Sequence, residues 1–326
     1  MLNQNARCGS CAAAVLTLCI AFCAQFSSAS THQEGWKELN LSSHPSARVN
    51  PAMTYDPAGK NIVLFGGYDG VSHLDDTWIF NGKSWAKLNP PVSPSVRSAS
   101  AMAYDVATKR IVMFGGFSGS QYLGDTWLWD GVAQTWTQAN PSTKPTAVTL
   151  PMVFTDPLNG HAEMVGGYDG RFYQLITWQW TGSDWKKRHP ANEITARGAA
   201  VVANDPLHHN VVIFGGLADV NPVNTWTWDG VTWTEQNPST QPPWSFYTPA
   251  AYDPRLGEVV MFGGSSGLNQ TWAWNGSDWV LLSPVYSPIA EDSQGMAYDW
   301  TSRQMIMFGG ENGHTLLDST WELIVK

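Results

Sequence analysis

The sequence predicts an all-β chain built as a closed ring of six four-stranded antiparallel blades, and three observations predict it. A Gly-Gly doublet after an apolar run recurs at 66, 115, 166, 215, 263 and 309, at spacings of 46 to 51 residues. A Thr-Trp pair follows every doublet, at Trp78, Trp127, Trp178, Trp226, Trp272 and Trp321. The composition agrees: the 326 residues include 30 Gly and 18 Trp but are only 14% charged, against about a quarter in an ordinary globular chain. Disorder and coiled coil are excluded, and a turn-rich, aromatic-rich sheet protein is left.

The first 30 residues read differently from the rest. Arg7 precedes an apolar run from Ala12 to Ala24, and small residues follow at Ser27, Ala29 and Ser30. The run is too short for a bilayer span, which needs about 20 residues, so residues 1–30 are expected to be a signal peptide cleaved near residue 30, making the protein secreted or periplasmic. Leu18 and Phe22, ahead of Cys19 and Cys23, disfavour a lipoprotein anchor. Cys8-Gly9-Ser10-Cys11 resembles a redox or zinc motif and is read as coincidence within the leader. All four cysteines fall in this segment, so the expected mature chain offers no disulfide, thiolate metal site or cysteine nucleophile. The formal net charge is −9, with no basic cluster denser than Lys186-Lys187-Arg188. Neither nucleic acid nor an anionic membrane is implied as a partner.

Each repeat divides into four strands. The first holds Ala52-Met53-Thr54-Tyr55 or its equivalent, and Asp56-Pro57-Ala58-Gly59 supplies the Asp and Pro that a type I turn prefers. The second is the unbroken apolar run Ile62-Val63-Leu64-Phe65, as suits a strand covered on both faces, and Gly66-Gly67 ends it. The third is Thr77-Trp78-Ile79-Phe80, closed by Asn81-Gly82. Its equivalents Asp130-Gly131, Asp229-Gly230 and Asn275-Gly276 are strong hairpin signals. The fourth carries a second Trp: Trp85, Trp136, Trp185, Trp233 and Trp279. A third aromatic column, Phe80, Trp129, Trp180, Trp228 and Trp274, alternates with the first at strand period.

The last repeat lacks its fourth strand, because the chain ends at Lys326 soon after Trp321. Trp36-Lys37-Glu38-Leu39 matches Trp85-Ala86-Lys87-Leu88, so residues 31–40 are expected to complete the last blade and close the ring. Closure removes the open sheet edge. With Trp36 included, the columns hold 16 of the 18 Trp. Residues 31–326 are therefore one six-bladed β-propeller.

The motif apolar-Phe-Gly-Gly, variable loop, Thr-Trp and a spaced Trp, carried by Phe65-Gly66-Gly67, Phe114-Gly115-Gly116, Val165-Gly166-Gly167, Phe214-Gly215-Gly216, Phe262-Gly263-Gly264 and Phe308-Gly309-Gly310, resembles the kelch repeat. That resemblance implies a propeller fold that hosts interaction modules, sugar-acid epimerases and copper oxidases, and so leaves the chemistry open. The copper oxidases require a cysteine crosslinked to tyrosine, which the expected mature chain lacks. No sequence motif calls for a cofactor or a metal.

In a four-stranded meander the loops after strands two and four share one face, and the tight turns after strands one and three share the other. The first set is longer and more varied, so function is placed there. Seven residues before the end of strand one stand Arg48, Arg97, Val148, Arg197, Ser245 and Glu291. Arg48, Arg97 and Arg197 can offer bidentate donors to an anionic ligand at the channel mouth, as kelch domains that bind acidic peptides do, with Glu291 breaking the symmetry. The competing reading packs each arginine stem on a neighbour and pairs it with a loop carboxylate. After each doublet come Tyr68, Phe117, Tyr168, Leu217, Ser265 and Glu311. Tyr68 and Tyr168, with Asp69, Asp169 and Arg171, can form a sugar-stacking shelf, or simply cover the core. Trp244 and Tyr247 are further loop aromatics, Trp244 standing outside every repeat column. His73 and His314 lie in corresponding loops that ring closure makes neighbours, and with Asp69, Asp75 and Glu311 are the candidates for an acid/base pair or a metal site.

The leading expectation is a secreted, monomeric, non-catalytic module that binds a carbohydrate or an acidic protein. The alternative is an epimerase or lyase acting on a sugar acid at an arginine-lined site.

Overall fold

A computed structural model of the chain describes residues 34–265, 267–289 and 291–326. The leader read over residues 1–30 lies outside the described residues. Among those described there is no helix, and the strands form six four-stranded antiparallel sheets. Blade 1 runs Ala52–Asp56, Asn61–Phe65, Thr77–Phe80 and Trp85–Leu88 from the axis outward. Blades 2 to 5 repeat this order.

Blade 6 differs in the way the sequence requires. Gly295–Asp299, Gln304–Phe308 and Thr320–Val325 supply three strands, and Glu34–Glu38 supplies the fourth, pairing antiparallel with Trp36 opposite Leu323. The ring is closed by the N-terminal strand. An additional small hairpin, Glu311–Asn312 with Thr315–Leu316, stands in the loop between its second and third strands.

The second strands are covered on both faces: Ile62, Val63, Leu64 and Phe65 are fully buried, as are Val211, Val212, Ile213 and Phe214. That is why they carry no alternation in sequence. The fourth-strand tryptophans fill the wedges between blades, and each is tied there. Trp85 donates its indole Nε1–H to Thr320 Oγ1 (3.1 Å), Trp136 to Thr77 (3.0 Å), Trp185 to Thr126 (2.8 Å), Trp233 to Thr177 (2.9 Å), Trp279 to Thr225 (2.9 Å) and Trp36 to Thr271 (3.0 Å). Each bond crosses from one blade to the one before it, so the Thr of the Thr-Trp pair is an acceptor for a buried donor that would otherwise be orphaned. The bond from Trp36 completes the circuit.

A second circuit runs around the axis. Asn50, Ala99, Leu150, Ala199, Tyr247 and Ser293, at the loop end of each inner strand, all adopt left-handed φ between 51° and 63°. Each donates its backbone N–H to the carbonyl of the equivalent residue one blade back, from 2.7 Å for Asn50 to Ser293 up to 3.2 Å for Ala199 to Leu150. None of the six is glycine, so strain of this backbone region is carried at every blade and offset by the closed cycle.

Candidate functional site

The loop face is built on the glycine doublets. Gly66 and Gly67 have φ of +64° and +108°, and a Cβ on Gly66 would lie 2.4 Å from the Arg97 carbonyl oxygen. The same carbonyl accepts from Gly67 N at 2.9 Å. The doublet therefore lets the loop of one blade seat directly on the backbone that enters the next.

Arg48, Arg97 and Arg197, expected as ligand donors at the channel mouth, are buried instead, at 0 to 1% exposure. Arg48 gives Nε to Ser46 O (2.9 Å), Nη1 to Gly66 O (2.9 Å) and Asp76 Oδ1 (2.6 Å), and Nη2 to Asp76 Oδ2 (3.0 Å) and Ser46 Oγ (3.0 Å). Arg97 repeats the pattern on Gly115 O and both Asp125 oxygens. Burial opposes ionisation of Asp76 and Asp125, but the bidentate guanidinium outweighs it and holds both carboxyls below their usual range. Arg197 bonds Gly215 O, Asn224 Oδ1 and Thr195. Facing an amide rather than a carboxylate there, it is pulled down to about 10 by desolvation. All three guanidiniums are spent inside their own blades, leaving no free fork for a ligand. Glu291 is buried too; Gln294 Nε2 donates to its Oε2 at 3.2 Å, and burial pushes its carboxyl up to about 7.

A run of aromatic rings crosses the loop face. Tyr68, Phe117 and Tyr168 each bridge to a residue five positions on, namely His73, Tyr122 and Tyr173, folding the three long loops into matching small hairpins. Their rings form one arc across blades 1 to 3. Centroid separations run 4.9 Å for Tyr68–His73, 5.6 Å for His73–Phe117, 5.3 Å for Phe117–Tyr122, 6.0 Å for Tyr122–Tyr168 and 5.0 Å for Tyr168–Tyr173. All lie within the range for favourable aromatic pairs. Tyr68 and Tyr168 were legible from the repeat; His73 was read for its acid/base chemistry, and Tyr122 and Tyr173 were missed. The signal was a second aromatic column five residues after the first.

Beyond blade 4, where Leu217 takes the aromatic position, Trp244 packs on Phe246 (4.8 Å) and Phe246 on Tyr247 (5.2 Å). Trp244 is half-buried, its Nε1–H donated to Gly216 O at 2.9 Å. Burial raises the Tyr247 phenol, with Tyr173, Asp292 and Glu311 adding to the effect.

The carboxylates beside the shelf serve their own turns. Asp69 Oδ1 accepts from Val71 N (2.9 Å) and Ser72 N (2.7 Å), and Asp169 Oδ1 from Arg171 N (2.8 Å) and Phe172 N (2.7 Å). These backbone bonds hold both below the usual carboxylate range. The Arg171 guanidinium lies 4.8 Å over the exposed Phe172 ring.

His73 and His314 are not brought together as a pair. His73 turns to blade 2, where Nδ1 is 3.1 Å from Ser98 Oγ and the ring meets Phe117 edge-on. His314 stands exposed at the turn of the blade 6 hairpin. Burial lowers the His73 imidazole, favouring its neutral form. Among the described residues no group of three or more His, Cys, Asp or Glu is placed to hold a metal ion.

Residues 21–216 match the family model described as the KLHDC2/KLHL20/DRC7 Kelch-repeats domain. The chain belongs to the Kelch-repeat family. A comparison with curated proteins finds no match. Kelch propellers are typically protein-interaction modules, and the loop face of this one offers an aromatic arc rather than an arginine ring. No helix among the described residues is long and apolar enough to cross a membrane.

Proposed function

We propose that this Kelch propeller is an exported, monomeric binding module that holds a carbohydrate chain along the aromatic arc of blades 1 to 3. The observation that carries the reading is the continuity of six half-exposed rings, from Tyr68 to Tyr173, on a scaffold locked by two hydrogen-bonded circuits. Successive rings suit successive sugar faces, and rigid aromatics lose little side-chain entropy on binding. An acidic protein ligand is less well served, since Arg48 and Arg97 have no donors left, Arg197 is fully buried, and Asp69, Asp169, Asp292 and Glu311 occupy the same face. His73 leans on Ser98 and Phe117 of blade 2 while His314 stands exposed on the blade 6 hairpin, which gives the epimerase or lyase alternative less support.

A glycan array followed by calorimetry on the hits tests this. Tyr68→Ala and Tyr168→Ala are each expected to weaken binding about tenfold, since one aromatic contact is worth roughly 0.5–1.5 kcal/mol beyond its buried area. Arg97→Lys is expected to leave the affinity of the folded protein unchanged. Binding that survives loss of both tyrosines, or product formation from a sugar acid, would overturn the reading.

A further inference from the structure

The inner strands of all six blades line a central cavity of about 520 Å³, within the range of about 300–1,000 Å³ typical of small-molecule sites. None of its lining residues is charged. It is nevertheless partly polar. Each inner strand is hydrogen-bonded along one edge only, so the other edge turns backbone N–H and C=O groups to the channel, where they need partners. Thr54 adds a hydroxyl, whereas Ser100, Thr248 and Gln294 are buried with their polar atoms turned into the blades. Gln294 is 7% exposed and gives its Nε2 to Glu291, while its Oε1 has no hydrogen-bond partner among the described residues.

The end of the channel on the turn face is two-sided. At one register position blades 5, 6, 1 and 2, which are contiguous in the ring, carry Tyr252, Tyr298, Tyr55 and Tyr104, while blades 3 and 4 carry Thr155 and Asn204. Burial raises the four phenols, which therefore stay neutral. Trp300 extends the aromatic side. It is 49% exposed, lies edge-on to Tyr298 at 5.1 Å, and replaces the proline or valine that follows the turn aspartate in every other blade. With Trp244 it completes the pair of tryptophans outside the repeat columns.

We propose that the channel, entered from the turn face past Trp300, is a second site that binds a neutral sugar, its ring face against the aromatic side and its hydroxyls on the uncharged polar lining. Aromatic cover on one side, backbone edges around the channel and no charge suit a neutral polyol, although Thr155 and Asn204 already bond across to each other and to Tyr104; an anionic sugar would be desolvated without a counter-charge. The site lies on the face opposite the arc and does not rest on the loop-face reading.

Saturation-transfer NMR at pH 7 with D-glucose, D-galactose, cellobiose and D-glucuronate decides it. At least one neutral sugar is expected to receive saturation, at least fivefold less with Trp300→Ala and unchanged with Tyr68→Ala. D-Glucuronate is expected to receive none. Thr54→Val, which removes one hydroxyl from the lining, is the second variant should Trp300→Ala melt early, and is expected to weaken the same signal. The proposal is overturned if no neutral sugar of the panel is saturated, if D-glucuronate is saturated equally, or if the signal follows Tyr68 rather than Trp300 or Thr54.

Discussion

Val148 and Ile176 occupy in blade 3 the two positions that Arg97 and Asp125 hold in blade 2, packing an apolar pair where the neighbouring blade has a bidentate ion pair. The replacement is concerted within one chain: Arg48 meets Asp76, Arg97 meets Asp125 and Arg197 meets Asn224. The two positions form one structural unit that closes the strand-two-to-three loop. Removing one partner of a buried pair strands the other, at a cost of about 3–5 kcal/mol, whereas a packed apolar pair is often neutral or better. Arg97→Ala is therefore expected to lower the unfolding free energy by about 3 kcal/mol or more. The double change Arg97→Val with Asp125→Ile is expected to recover most of that loss. Urea denaturation of both variants checks this, and equal losses would show that blade 2 cannot use the solution found in blade 3.

Ring closure gives a second expectation. Trp36 is 2% exposed, meets Phe262 edge-on at 5.4 Å and donates to Thr271. A chain begun at Leu41 loses the fourth strand of blade 6 and leaves the edge of Thr320–Val325 unpaired, an invitation to aggregation. It is expected to lose its cooperative thermal transition. Trp36→Ala is expected to cost about 3–5 kcal/mol, the usual range for a large core aromatic. An unchanged melting temperature for the shortened chain would show that the ring does not depend on the strand.

The blades were legible because their signals are local and repeated. Phe65-Gly66-Gly67 and Thr77-Trp78 each mark a strand end by residue type alone, and the incomplete last repeat shows where Trp36 must go. The site was less legible because its meaning depends on direction. Arg97 lies at the right register for a ligand donor or for a latch on Asp125, 28 residues away, and both readings share one sequence. The concerted change to Val148 and Ile176 was the discriminating sign. His73 failed to meet His314 because its loop leans on blade 2, where Gly119 makes room for the imidazole. No local preference encodes that lean. Trp300 is a tryptophan outside the three columns, in a turn of otherwise uniform chemistry that gives its residue type no local signal.

The arc's continuity between blades 2 and 3 depends on a glycine. Gly170 has φ +94°, and a Cβ there would lie 2.5 Å from Tyr122 Cε2. Gly170→Ala must push Tyr122 away from Tyr168, and it adds the cost of a side chain at positive φ, about 1 kcal/mol or somewhat more. The expected outcome is a small drop in melting temperature together with a several-fold loss of affinity for any glycan that the array detects. Affinity equal to that of the unaltered protein would mean that the rings act singly rather than as one surface.

The last expectation concerns pH. Glu163 is fully buried where the other blades have Val63, Val112, Val212, Val260 and Ile306. Burial, reinforced by Asp156, pushes its carboxyl up to about 9 against the pull of Arg188, whose Nη1 is 3.3 Å from Oε1. The folded protein thus keeps a proton that the unfolded chain releases near the ordinary value of 4.5, so stability falls as pH rises through that interval and levels off above about 9. Glu291 acts with the same sign, but its interval ends near 7. Between pH 7 and 9 the decline therefore belongs mainly to Glu163, with a limiting slope of about 1.4 kcal/mol per pH unit. Glu163→Val is expected to flatten that segment and to raise stability at pH 9, while Glu291→Gln flattens only the segment below 7. Unfolding free energies at pH 5, 7 and 9 for the three proteins test the assignment. A Glu163→Val protein that keeps the full decline from pH 7 to 9 would place the titrating group elsewhere.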